Sequence, residues 1–243
     1  MPDINTVEGL MMFLINTFAD KFPQSAILKG GMCLRLLDCP RLTNDIDYIF
    51  IPYSSKKDIL GNILTVLDDI EGIKYEYSMN SKCLRIRIKY GELITQIEAS
   101  VAEECETTSI STATLSRKLG LLGRVISVVD YRVAMANKLA AWNERVLLRD
   151  LYDIYFFYTA IELMPDMNVL EQRLSKVAST PTNTNPKQMT VQQLVTKLRS
   201  NLGELSPKAM LELADYLPSG DVYGLDIKIR TNLRQFCAEL EEL

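Results

Sequence analysis

The stretch Leu28-Lys29-Gly30-Gly31, with Arg41-Leu42-Thr43-Asn44-Asp45-Ile46-Asp47-Tyr48-Ile49-Phe50 downstream, is the most informative part of this chain. It reads as a short apolar strand, a double-glycine turn, a helix, and a second strand carrying two carboxylates. Residues i and i+2 of a strand project to the same face. Asp45 and Asp47 therefore point together, while Ile46 and Tyr48 face the other way. Adjacent carboxylates repel unless a proton or a cation lies between them. An oxygen-rich pair suits Mg²⁺, which takes one or two protein carboxylates and fills its shell with water and substrate phosphates. The glycines let backbone approach a phosphate closely, and the helix start behind them offers unpaired N–H groups. A metal pair beside a phosphate cradle implies chemistry on a nucleoside triphosphate.

Outward from this stretch the pattern is readable in both directions. Val7, Leu10, Met11, Leu14 and Phe18 recur at helical spacing over residues 5–22, and Pro23 ends the run. Residues 25–28 form the first strand, residues 32–37 continue as a helix ended near Pro40, and the acidic strand spans 44–51. Ser54 or Ser55 caps a helix reaching about Ile70. Strand-like runs follow at 73–79, 83–89 and 93–101, the first two flanking an Asn80-Ser81 turn. Sequential hairpins make antiparallel neighbours, so a mixed sheet is expected. Residues 102–124 show no decisive pattern. From Asp130 the chain reads as helices at 130–143, 150–163 and 166–178, with two or three more across 189–242. The turn-rich run Ser179-Thr180-Pro181-Thr182-Asn183-Thr184-Asn185-Pro186 reads as a linker at about 179–187. Strands first and helices second predict an α+β fold, with a core domain over 1–128 and a helical C-terminal domain over 129–243.

Composition narrows the chemistry. The 243 residues contain no histidine, which excludes Ser-His-Asp and Cys-His nucleophile pairs and His-ligated zinc. Five cysteines without a CxxC pair read as reduced, partly buried small residues. A formal net charge of −4 argues against nucleic-acid binding through bulk charge and leaves room for a local basic surface. No signal peptide and no apolar run long enough to span a bilayer are apparent, so a cytoplasmic protein is expected.

A third carboxylate would complete a two-metal site. Glu98, in the alternating run Leu93-Ile94-Thr95-Gln96-Ile97-Glu98-Ala99, is the candidate if its strand lies beside the acidic one; otherwise it sits on a wet sheet face. Lys138, on an alanine-rich helix, could reach a triphosphate as a point charge. Asp150 and Asp153 open the apolar helix Leu151-Tyr152-Asp153-Ile154-Tyr155-Phe156-Phe157, where either a chemical role or helix capping accounts for them. Arg85, Arg87 and Lys89 share one strand face, which would attract RNA or a triphosphate, or would merely be a solvent face that blunts aggregation.

The ordered set Gly30, Gly31, Arg41, Asp45, Asp47, Glu98, Lys138, Arg149, Asp150 and Asp153 resembles the AbiEii/AbiGii toxin-type nucleotidyltransferases, a branch of the polymerase-β-like superfamily, over roughly residues 25–160. The resemblance implies a nucleotidyltransferase-type mixed sheet flanked by helices and Mg²⁺-dependent transfer from an NTP, for some members onto the 3′ end of tRNA. It also implies a cognate antitoxin. On this reading Asp45, Asp47 and Glu98 bind metal, and Lys138 and Asp150 join them as catalytic residues. Gly30, Gly31, Met32, Arg41, Thr43, Lys138 and Asp153 make up the nucleotide site. Two positions depart from the family pattern: Met32 stands where a small hydroxyl residue is common, and Gln96 where a lysine often precedes the strand acid. Transfer to a small-molecule or protein hydroxyl, or a binding module that has lost turnover, are the alternatives.

Overall fold

Seven strands build one mixed sheet in the first part of the chain. They are β1 (Ala26–Lys29), β2 (Asp45–Phe50), β3 (Ile73–Met79), β4 (Leu84–Tyr90), β5 (Leu93–Val101), β6 (Thr107–Ser111) and β7 (Val125–Val129). Their spatial order is β3-β4-β5-β2-β1-β7-β6. β2 pairs with β5, and β1 with β7, in parallel. The pairs β1–β2, β3–β4, β4–β5 and β6–β7 are antiparallel. The computed structural model describes residues 4–176, 188–218 and 220–243. The linker expected at 179–187 lies outside the described residues.

One sheet face is the core of this part. Helix α1 (Val7–Lys21) begins where the Thr6 hydroxyl accepts a hydrogen bond from the Gly9 N–H at 3.0 Å. Its Phe18 ring stacks on Tyr48 of β2 with centroids 5.5 Å apart, and both lie against Phe50. Ile46, Tyr48 and Phe50 are thereby buried, as their alternation with Asp45 and Asp47 requires. Helix α2 (Gly30–Leu36) joins β1 to β2, and α3 (Lys56–Asp68), capped by Ser55, buries Ile59, Ile63, Val66 and Leu67. The short α4 (Ala113–Lys118) is tied to α1 by a buried polar network. The Asn16 amide donates to Ser116 Oγ at 3.0 Å and accepts from the Thr112 hydroxyl at 2.8 Å.

The segment without a decisive pattern contains β6 and α4, and β7 follows it. β6 is the polar run Thr-Thr-Ser-Ile-Ser at a sheet edge with one partner strand. An edge strand need not bury alternate side chains, so it leaves little periodic signal.

The chain divides into two compact units, Met1–Asp130 and Tyr131–Leu243. The second is helical: α5 (Tyr131–Arg145), α6 (Leu148–Ala160), α7 (Met167–Ser175), α8 (Val191–Glu204), the short α9 (Pro207–Met210) with a 3-10 turn at Leu211–Leu213, and α10 (Leu225–Glu241). A capping box between Thr190 and Gln193 starts α8. Its Leu194, Val195, Leu198 and Leu202 are buried, as are Ile229, Leu233, Phe236 and Leu240 of α10. Tyr158 of α6 meets Phe236 edge-on at 5.4 Å. All five cysteines are free thiols, three of them buried. Among the described residues no helix is long and apolar enough to cross a membrane.

Candidate active site

Strand register assembles a polar row across five strands of the first unit. Lys29 of β1 stands opposite Asp47 of β2, Asp47 opposite Glu98 of β5, Glu98 opposite Arg85 of β4, and Arg85 opposite Ser78 of β3. The row two residues along runs Asp45, Gln96, Arg87 and Glu76. Because cross-strand partners share a face, all of these side chains project from the side of the sheet opposite Tyr48 and Phe18. Glu98 thus lies on the strand beside Asp47, the placement that its candidacy required.

The two glycines make room for this row. A Cβ on Gly30 would lie 2.0 Å from Asp47 Oδ2, and the backbone there has φ +72°. A Cβ on Gly31 would lie 2.7 Å from Thr43 Oγ1. Only glycine fits either position, because the carboxylate and the threonine occupy the space themselves. Thr43 in turn donates to Asp45 Oδ1 at 2.5 Å. Arg41 is buried and donates to the Leu42 carbonyl at 3.1 Å, and Met32 is wholly buried. Neither the Met32 nor the Arg41 side chain is exposed to a ligand. At Met32 the backbone is all that remains for the nucleotide contact expected there.

Asp47 and Glu98 each have a partner in the row. Lys29 Nζ lies 3.8 Å from Asp47 Oδ1. Glu98 Oε1 accepts from Arg85 Nε at 3.0 Å, Arg85 Nη2 at 2.8 Å and Gln96 Nε2 at 2.9 Å. That bond holds the Arg85 guanidinium above its usual range. All three donors converge on a single oxygen of Glu98. Among the described residues no group of three acidic, cysteine or histidine side chains is drawn together tightly enough to hold a metal ion. The donor set nevertheless has the right chemistry: two same-face aspartates, half-buried, with a glutamate across the strand pair, are hard oxygen ligands of the kind Mg²⁺ takes. Asp45 and Asp47 share one face of β2, engaged by Thr43 and Lys29, and the donors on Glu98 all fall on Oε1, so the set fits such an ion by its donor chemistry rather than by its present spacing. A surface concavity of about 530 Å³ in the same unit, lined by residues such as Lys21, Tyr53, Asn62 and Asp69, shares no residue with the row.

The second unit carries its own charged cluster. Asp150 and Asp153 are fully buried. Lys138 Nζ lies 2.6 Å from Asp153 Oδ2 and 3.7 Å from Asp150 Oδ1. Arg145 grips Asp150 with a two-pronged fork, Nε at 2.6 Å and Nη2 at 2.7 Å. A buried carboxylate without such partners would cost several kcal/mol. Helix capping does not account for these acids: Leu147 is the N-cap of α6, and both side chains turn to cations. Lys138, with 19% of its side chain exposed, is the least enclosed member of its trio with the two aspartates. Arg149 is exposed.

Sequence reading gave no partner role to Lys29, Gln96 or Arg145. The signal for Lys29 was present, since antiparallel return of the chain after Gly30 places it opposite Asp47. The Arg145–Asp150 fork depends on a helix boundary that residue pattern locates poorly.

Comparison with known proteins bears on this geometry. A family described as "Nucleotidyl transferase AbiEii toxin, Type IV TA system" matches residues 13–216. A comparison with curated proteins returns no match. Among solved structures, JHP933 from Helicobacter pylori aligns with a TM-score of 0.52 at 14% identity, covering 97% of this chain and 94% of that one. An H. pylori protein assigned as a nucleotidyltransferase aligns with a TM-score of 0.54 at 16% identity, covering 97% and 95%. At these identities the likeness is one of fold.

Proposed function

The chain belongs to the AbiEii nucleotidyl transferase toxin family, and on that premise we propose that it moves a nucleotide from an Mg²⁺-bound NTP to the 3′ hydroxyl of an RNA, such as a tRNA end. Family membership makes it a nucleotidyltransferase toxin of the type IV toxin–antitoxin class, with an NTP as substrate and an antitoxin as partner. The metal, the acceptor and the site residues are the proposed part. The cytoplasm, where NTPs and tRNA are available, is the proposed compartment.

The observation that carries the proposal is the Asp45–Asp47–Glu98 arrangement on one sheet face, beside a turn where only glycine fits. Asp45 and Asp47 would hold the ion, and Glu98 would join through Oε2, the oxygen its internal donors leave open. Bound there, Mg²⁺ supplies acidification of the acceptor hydroxyl and neutralisation of the α-phosphate and departing pyrophosphate. In the reaction the acceptor hydroxyl gives up its proton to solvent, its oxygen bonds to the α-phosphorus, the bond from that phosphorus to the bridging oxygen breaks, and pyrophosphate leaves. Lys29 limits the charge that Asp47 presents to the incoming triphosphate. Backbone N–H groups at Gly31 and Met32 would meet its β- and γ-phosphates, and α2 carries no side-chain cap that competes for them. In the second unit, Lys138 would supply positive charge, with Asp150 and Asp153 acting through it as positioning residues rather than touching nucleotide.

The test is incubation of purified protein with labelled NTPs, Mg²⁺ and total tRNA, followed by electrophoresis. Label transferred by wild type and lost in Asp47→Ala is the expected result. No transfer by wild type, or undiminished transfer by Asp47→Ala, overturns the proposal. The engagement of Glu98 by Arg85 and of Asp47 by Lys29 favours a second reading, a binding module without turnover. Mg²⁺–NTP binding without transfer to RNA, small-molecule or protein hydroxyls would distinguish it.

A further inference from the structure

The polar sheet face does not stop at the carboxylates. Two strands away from Asp45, β4 presents Arg85, Arg87 and Lys89, all exposed, at every second residue. Successive same-face positions on a strand are about 7 Å apart, the spacing between Arg87 and Lys89, while Arg85 is engaged by Glu98. On β3, Lys74 stands directly opposite Lys89. Like charges placed opposite one another on antiparallel strands are destabilising, a cost that a bound anion removes. Neither Arg87 nor Lys74 makes a side-chain hydrogen bond or ion pair among the described residues. Acidic neighbours are fewer: Glu76 opposite Arg87, and Glu92, a loose 3.9 Å partner of Lys89 with its own side chain 97% exposed. In a chain whose net charge is −4, this concentration of cations is local.

Protection of a sheet edge does not explain Arg87 and Lys89, although Lys74 lies on the edge strand β3. β4 is an interior strand, paired with β3 on one side and β5 on the other, so it has no edge to guard. A triphosphate held at the carboxylates does not explain them either, because Lys89 and Lys74 lie two and three strands from β2, roughly 10 and 14 Å across the sheet. Ile94 of β5, 42% exposed and opposite Lys89, adds an apolar contact on the same face. Spaced cations along a strand face suit a flexible polyanion, and among the ligands of the proposed function that is the acceptor, a single-stranded RNA end.

We infer that Arg87, Lys89 and Lys74 form a docking track for a single-stranded RNA acceptor, leading its 3′ end along the sheet face toward Asp45 and Asp47. The inference rests on the RNA-acceptor reading above and is tested separately from it. Arg85 is committed to Glu98 and is not counted as a track residue.

The experiment measures fluorescence anisotropy of full-length protein with a labelled 20-nucleotide single-stranded RNA across a salt series, without NTP or metal. The triple variant Lys74→Ala/Arg87→Ala/Lys89→Ala is expected to bind at least tenfold more weakly at 100 mM salt. Its log–log salt slope should be shallower by about 2, each phosphate contact on a single strand contributing about 0.7. Lys21→Ala/Lys57→Ala/Lys118→Ala, at exposed lysines on helices of the same unit rather than on β3 or β4, changes net charge equally and should bind as wild type. Equal weakening in both triple variants, or none in the first, overturns the track. So does track-dependent binding of polyglutamate with none of RNA, which would indicate an acidic protein partner. RNA binding lost only in the track variant, with no transfer by wild type, keeps the track and removes the transfer reading. Transfer by wild type with unchanged RNA binding in the track variant does the opposite.

Discussion

Asp47 and Glu98 stand directly opposite each other across the parallel pair β2–β5, although two strands and a helix intervene between them in the chain. The pairing places a glutamate next to the acidic strand while Arg85 and Gln96 hold one of its oxygens. Glu98 is therefore shared between an internal cation and the proposed metal, and Arg85 competes with any ion for it. Arg85→Ala should tighten Mg²⁺ binding several-fold, read as a lower Mg²⁺ concentration for half-maximal rise in Tm. Unchanged or weaker Mg²⁺ dependence would show that Arg85 organises Glu98 for the ion instead.

Gly30→Ala places a methyl group against Asp47 Oδ2 at a positive φ, and both effects oppose folding. A loss of about 1–3 kcal/mol is expected in urea denaturation. Part of that loss is the clash, so the same substitution in an Asp47→Ala background should cost measurably less. A double-mutant cycle that comes out additive would refute the steric account.

Lys138→Met should destabilise the second unit by about 3 kcal/mol, because it strips a buried carboxylate of its cation. The double variant Lys138→Met/Asp153→Leu removes both charges and should recover most of that stability. Nucleotide transfer should remain low in both. Recovery of transfer along with stability would assign Lys138 a purely structural part.

Burial, and then the hydrogen bond to Glu239 at 2.8 Å, push the Tyr158 phenol up to about 12. Its folded pKa lies above the ordinary value of 10, so the folded state keeps a proton that the unfolded chain has lost. The corresponding stability is fully present below pH 10 and fades as the pH rises through 12. Alkaline denaturation followed by circular dichroism should show wild type losing stability over this window faster than Tyr158→Phe, which has no phenol to titrate.

Local chemistry is enough to make the acidic strand legible. The alternation Asp45-Ile46-Asp47-Tyr48 can serve a strand with one buried and one polar face and little else, and the Gly30-Gly31 pair marks a backbone that something approaches closely. The helices over 7–21, 56–68 and 131–145 announce themselves through apolar spacing, since a helix or strand records its own buried face at a period set by its geometry. The partners do not announce themselves. Lys29 on Asp47, Arg85 on Glu98 and Arg145 on Asp150 follow from strand register and helix boundaries, and a one-residue slip would send each side chain elsewhere. The edge strand β6 leaves no pattern because half its surroundings are solvent. Residue order thus determines the kind of chemistry the strand can do. Which cations restrain its acids, and that the glycines yield their space to Asp47 and Thr43, is decided by packing among distant segments, whose energies no local window of residues contains.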